Sequence, residues 1–298
     1  MKNIKAKKVK VSISDKAFNV ALTIIATVVL LIVLYPMIYV VSSSFSSRLA
    51  IMTGQVYLWP VDFTTTSYEW ILKNKMIWRG YENSIIYTLG ATVIHLFMTI
   101  CGAYPLSRKN YQAKGFIQKY LTASMLFGGG LLPLFLLVSS LGLYDNPLWM
   151  FISGVVAINH IIIMRTFFQS NIPHELFESA RMDGISDCGY LIKIVLPLSK
   201  MVIAVISLYA AVGTWNSYKT PLLYLRNRDY YPIQLVLNEM LTPAQYYISG
   251  MDACVLDQSW KVGIEYAALV IGAAPMLIFC LFVQKFFVKG VTMGAVKG

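Results

Sequence analysis

The sequence predicts an all-α integral membrane protein with six membrane-spanning helices. Three observations lead there. Hydrophobic residues make up 57% of the chain and charged residues only 13%, roughly half the charged share of soluble domains. Six long stretches carry no charge at all. The basic residues gather in the segments that an even number of crossings puts on one side.

The uncharged stretches run over residues 17–47, 84–107, 120–144, 146–164, 201–218 and 266–284. A helix needs about 20 mostly apolar residues to cross a bilayer core, so each stretch predicts one span. The fourth and fifth are short and are expected to extend into their flanks. Ahead of the first span, Lys2, Lys5, Lys7, Lys8 and Lys10 resemble the start of a signal peptide. The apolar run that follows is too long for one, and no small-x-small cleavage site comes promptly, so an uncleaved helix is expected. Between the spans, residues 43–83 and 219–262 form two substantial outer loops. Asp145-Asn146-Pro147 makes a plain turn between helices three and four. Gly128-Gly129-Gly130, with Pro133, should loosen helix three, as a hinge or for close packing.

The side that carries both termini holds residues 1–16, 105–119, 165–200 and 285–298. It has 17 of the 25 basic and 5 of the 14 acidic residues, a net of +12, whereas the other side nets −1. That assigns it to the cytoplasm. It also accounts for the basic balance without nucleic acid, since the charges are spread over separate loops. Cys101 and Cys280 fall within spans, Cys188 is cytoplasmic and Cys254 is outside. No pair can form an external disulfide, and the spacing suggests no metal site.

The cytoplasmic stretch 170–197 stands apart. Asn171 can cap a helix start, with Pro173 in its first turn. A short helix then runs through Glu175, Leu176, Phe177, Glu178, Ser179, Ala180 and Arg181. Gly184 can end it in a left-handed conformation, with Asp183 stabilising the turn. Ser186 or Asp187 can start a second helix, which Pro197 limits or kinks. Leu176, Phe177 and Ala180 share one face by helical spacing. Such a face docks on a partner or lies on lipid, and the pattern alone fits both.

The order Glu178-Ser179-Ala180, three residues, Gly184, nine residues, Ile194, one residue, Leu196-Pro197 resembles the EAA motif of ABC importer permeases. Ser179 stands where the family usually has Ala. Other stretches resemble the carbohydrate branch, of the MalG or LplC type. They are Tyr104-Pro105-Leu106-Ser107-Arg108, Ile163-Met164-Arg165-Thr166-Phe167-Phe168, Trp215-Asn216-Ser217, Phe287-Val288-Lys289-Gly290 and Gly294-Ala295-Val296-Lys297-Gly298. The resemblance covers nearly the whole chain. It implies a MetI-like type I importer transmembrane domain. A basic N-terminus (1–16) precedes a first helix and outer loop (17–83), a five-helix core (84–286) and a cytoplasmic tail (287–298).

It further implies that Leu176, Phe177, Glu178, Ser179, Ala180, Asp183 and Gly184 couple the chain to an ATPase. The implied partners are a second, homologous permease subunit, two ATPase subunits that bind the ATP, an extracytoplasmic sugar-binding protein and a carbohydrate, with membrane lipid around the spans. The outer segment from Tyr230 to Leu237 would probe that binding protein. The chain itself would be a non-catalytic subunit without cofactor or metal, in a bacterial cytoplasmic membrane with both termini inside. Consistently, it has no G-x-x-x-x-G-K-[ST] phosphate loop. The sequence departs from the family at His95, where relatives often carry Asn, and at Thr214, where they often carry His.

Among single residues, His95 is the ionisable group well inside a span, either on the substrate pathway or satisfied by a neighbouring helix. Trp215 and Asn216, at the outer end of helix five, offer a ring and an amide to a sugar, or an interfacial anchor. Two other classes fit poorly. An ion-coupled secondary transporter calls for acids within its spans, and Glu265 lies only at the edge of helix six. For a membrane enzyme, His174-Glu175 with Glu178 is not a zinc motif, and no nucleophile–base set stands out.

Overall fold

A computed structural model describes residues 13–241 and 258–295. The basic residues up to Lys10, Cys254 and the last three residues of the expected tail lie outside them. Every regular element among the described residues is helical. They fall into two compact units, 13–71 with 258–270, and 72–241 with 271–295.

The first unit holds α1 (Ile13–Ser44), α2 (Arg48–Met52), α3 (Thr66–Lys73) and the start of α15 (Gln258–Ala295). The apolar window of α1 buries nothing inside the chain, as suits a helix whose surroundings are lipid or another subunit. Its C-terminal end is ordered by the loop that follows. Ser42 Oγ donates to the Leu58 carbonyl at 2.6 Å. Tyr68 donates to Ser44 Oγ at 2.7 Å, and the Phe45 ring stacks on Phe63 and on Tyr68. The loop expected to lie outside is therefore folded against the end of α1.

The second unit is built on α4 (Lys75–Ser107). This helix begins nine residues before the expected start at Ser84. Asn74 caps it, accepting from the Met76 N–H at 2.9 Å. Arg79 pairs with Asp229 at 3.1 Å, so the charges that end an apolar stretch do not end the helix.

Three of the six apolar stretches form helices long enough to cross a membrane, within α1, α4 and α15. The third stretch becomes α5 (Lys114–Leu126) and α6 (Leu131–Ser140), bent by 112°. The break falls at the three glycines, and Gly130 has φ +79°. A Cβ on Gly128 or Gly129 would meet nothing within 4 Å, so the triplet serves the bend and not close packing. The fifth stretch joins residues Asp187–Leu198 to α12 (Lys200–Trp215) across an 82° bend. Before the bend lie α10 (Asp187–Tyr190), a π-helical turn (Leu191–Val195) and α11 (Leu196–Leu198), which contains Pro197. The predicted kink is thus there.

The fourth stretch is not one continuous helix. It divides into α7 (Leu148–Ile152) and α8 (Ile158–Asn171), separated by non-helical backbone at 153–157. Hydropathy does not register this break, because the interrupting residues are themselves apolar or small.

One hydrophobic cluster of this unit lies toward the end predicted to be cytoplasmic. Ala103 and Leu106 of α4 pack with Ile161, Met164 and Phe168 of α8, Val202 and Ile206 of α12, and Tyr190 of α10. In lipid, shape complementarity rather than water exclusion holds such helices together. The short helix α9 (His174–Met182) joins this cluster through Ala180 and Phe177.

Candidate functional site

The break in the fourth stretch opens onto a cavity of about 510 Å³. Non-helical backbone at membrane depth is tolerated where it is buried in protein or lines a cavity. Ser153, Gly154, Val155 and Ala157 line this one. Gly154 has φ +76°, a left-handed conformation that side chains with a Cβ rarely adopt.

Opposite the break, α4 contributes Ser84, Tyr87, Ala91 and His95, spaced to share one helix face. Tyr209 and Thr214 of α12 close another wall. Tyr87 donates its hydroxyl to the Tyr230 carbonyl at 3.0 Å, and Ser84 Oγ accepts from the Ile233 N–H at 2.8 Å.

His95 is 5% exposed. Its Nδ1 lies 3.2 Å from the Gly154 carbonyl oxygen and its Nε2 lies 2.8 Å from His160 Nδ1. The His160 ring in turn stacks on Tyr209 at 5.7 Å. His95 therefore lines the cavity and is also satisfied by neighbours. Among the described residues, no Asp, Glu, Lys or Arg lines this space.

Trp215 and Asn216 do not line the cavity. Trp215 is buried and donates Nε1 to the Gly272 carbonyl at 3.0 Å. The physical reason lies in α15. Pro275 interrupts that helix and cannot donate to the carbonyl four residues back, that of Ile271. Tyr81 supplies the missing donor at 2.7 Å, while Trp215 and Gln234 both serve Gly272. Trp215 is thus committed to helix packing. Asn216, exposed, is the C-cap residue of α12.

At the other end, α9 places the seven expected coupling residues. Asn171 does not cap it but ends α8, and Pro173 takes the N-cap position. Gly184 has φ +75°. Its N–H donates to the Arg181 carbonyl at 3.1 Å, and the Ile185 N–H donates to Ala180 at 2.9 Å, the paired bonds of a Schellman turn. Asp183 is the C-cap residue. Ser186 caps α10, accepting from the Gly189 N–H at 3.2 Å.

The expected single apolar face is divided. Phe177 and Ala180 turn inward and pack on the chain's own core. Leu176, 40% exposed, and Met182, 89% exposed, point away with Ser179 and Asp183. At 100° per residue, positions 176, 179 and 183 lie on one side of a helix and 177 and 180 on the next. Glu178 is exposed and meets His174 at 3.2 Å. Against Phe177 lies the guanidinium of Arg108, 3.4 Å from the ring centroid. Tyr190 meets the same ring edge-on at 5.2 Å. Tyr104 donates to the Asp187 carbonyl at 3.2 Å. The foot of α4 is therefore bonded to both α9 and α10.

Comparison with known proteins decides the family. The chain is 34% identical to protein LplC of Bacillus subtilis over 267 residues, which is 90% of each chain. It is 35% identical over 273 residues to the polygalacturonan/rhamnogalacturonan transport system permease protein YtcP of Bacillus subtilis, covering 90% of this chain and 94% of that one. The chain belongs to the ABC importer permeases, in their carbohydrate branch. A bacterial ABC transporter involved in import of the acidic polysaccharide alginate has a chain of the same fold. Its crystal structure matches with a TM-score of 0.80 at 32% identity, over 94% of this chain and 100% of that one. No protein-family model matches the chain.

In this permease, sequence reasoning missed His160, Tyr209 and the break that frames them. Gly154 between two short apolar runs was the available signal. Thr214, the second departure from the family's pattern, lines the same cavity as His95.

Proposed function

We propose that this permease subunit translocates an oligosaccharide through a pathway formed with a second, homologous permease. On this reading a sugar-binding protein delivers the sugar, and two separate ATPase subunits bind and hydrolyse the ATP, so this chain is not itself an enzyme. Both termini lie in the cytoplasm. The observation that carries the reading is the bonding of one helix to both ends of the task. α4 lines the cavity with His95 and, thirteen residues on, holds the α9 helix through Arg108 and Phe177.

The exposed residues Leu176, Ser179, Met182 and Asp183 dock in a cleft of the ATPase, with Glu178 at its rim. Phe177 and Ala180 anchor the helix to its own bundle. When ATP closes the ATPase pair, α9 is displaced and α4 moves with it as a rigid body. The cavity then exchanges inward access for outward access, and hydrolysis resets it. The ligand drives nothing by itself; the two states differ in what docks on α9.

The test is purification of the tagged chain from its native membrane in mild detergent, with mass spectrometric identification of what co-elutes. A related permease together with an ATPase is expected. Elution of the chain alone, while a known complex in the same extract stays intact, would refute the proposal.

A further inference from the structure

We infer that a second cavity, at the foot of α4, binds a phosphate group, of the kind carried by a lipid headgroup or by a soluble phosphate compound. Binding there is independent of which sugar the permease carries.

This cavity, of about 530 Å³, lies beside the start of α9 at the end predicted to be cytoplasmic. Three bases line it: Arg108 and Lys109, which follow α4, and Lys114, the first residue of α5. Among the described residues no carboxylate pairs with any of them. Glu175 is the acid in the described lining, and His174 is engaged by Glu178. Three bases against one acid leave an excess of positive charge in one concave space. Such a space concentrates anions.

Tyr190 supplies an independent sign of a ligand. It lines the cavity, is 1% exposed, and its buried hydroxyl meets no partner. Buried polar groups are nearly always bonded, to water or an ion if not to protein. Bases that only anchored a span to the membrane surface would give that hydroxyl nothing to do. The two helices that begin at this cavity, α5 and α9, both lack a side-chain cap, and uncapped N–H groups at a helix start favour anions. Lys114 sits in the first turn of α5, where the helix dipole disfavours a cation. An anion in the cavity offsets both. Donors arriving from several directions suit the three free oxygens of a phosphate better than the two of a carboxylate.

Arg108 can join the site without leaving Phe177. The face of its guanidinium lies on that ring, 3.4 Å from the centroid, while its N–H donors point out along the plane. A phosphate held by the edge would therefore brace the contact between α4 and α9.

The experiment places the full complex that contains this chain in nanodiscs without nucleotide and reads the acetylation rate of each lysine by mass spectrometry. Three conditions are compared at equal ionic strength: phosphatidylcholine with sodium chloride, phosphatidylcholine with inorganic phosphate, and phosphatidylcholine mixed with phosphatidylglycerol. Lys109 and Lys114 should react several-fold more slowly in at least one of the last two, and slow by more than Lys193 and Lys200, which lie outside the cavity. Protection by inorganic phosphate assigns the site to a soluble phosphate compound; protection by phosphatidylglycerol alone assigns it to a lipid headgroup. Because the ligand is shared, Lys114→Gln and Tyr190→Phe should each return Lys109 toward its unprotected rate. If Tyr190→Phe does not assemble, Lys114→Gln decides. Equal slowing of all four lysines overturns the inference, as does no slowing at all, or protection of Lys109 that is indifferent to Lys114→Gln.

Discussion

Gly184 offers the most direct test of the coupling segment. Its φ of +75° closes the Schellman turn, and nothing lies within 4 Å of where a Cβ would stand. The cost of a substitution is therefore conformational and not steric. Alanine in this region costs about 1–2 kcal/mol, roughly a tenfold shift in the fraction of chains with the turn formed. Asparagine tolerates the conformation and should cost a few tenths of that. Proline is confined to φ near −65° and has no N–H, so it removes both the turn and the bond to the Arg181 carbonyl. Measured as sugar uptake per assembled complex in proteoliposomes, the expected order is Gly, Asn, Ala, Pro, with Gly184→Pro inactive although inserted in the membrane. Normal uptake by Gly184→Pro would refute the turn's role in coupling. An asparagine variant as inactive as the proline one would show that close approach of another backbone, and not φ, demands glycine here.

Three further outcomes follow from the contacts. Arg108→Ala removes a cation–π contact worth about 1 kcal/mol and leaves Phe177 loosely held; ATP hydrolysed per sugar imported should rise, with Arg108→Lys in between. Tyr81→Phe should lower thermal stability by about 1–3 kcal/mol, because it orphans the Ile271 carbonyl. Much of that loss should vanish in a Pro275→Ala background, where the helix regains its own donor, and a double-mutant cycle by thermal unfolding measures it. Asp145 Oδ1 accepts from the backbone N–H groups of Arg226 and Asn227, both at 2.8 Å, and these bonds hold its carboxyl below the usual carboxylate range. The folded value is depressed, so the stabilisation is complete above the unfolded value near 4 and fades as pH falls through the folded one. Protease resistance of the 219–232 segment should fall in acid for the wild type and be insensitive to pH for Asp145→Asn, whose residue type still suits the φ of +56° at that turn.

The turn between α9 and α10 was legible because its signals are local. Ser186 and Gly184 act on atoms within a few residues of themselves, and they sit where capping and turn chemistry require. Asn171 was misplaced by the same logic, since a capping side chain also fits the last turn of the preceding helix. There its amide donates to the Phe167 carbonyl at 3.3 Å. The split face of α9 was not legible, because helical spacing says which residues are neighbours and not which neighbour belongs to the same chain. Arg108 settled that, from sixty-nine positions away in sequence.

What the sequence determined by itself is the class of the molecule, through apolar stretches of spanning length and the EAA-like segment between them. These depend on composition and short-range geometry, which the bilayer reads directly. What only the tertiary structure decided is which residues line the cavity. Trp215 and His95 both look like functional residues in a list. Packing turns the first toward a carbonyl next to a proline-broken helix turn, and the second toward a glycine carbonyl at a helix break. A side chain's role at membrane depth is set by the backbone groups left unpaired near it, and those appear only when the helices are brought together.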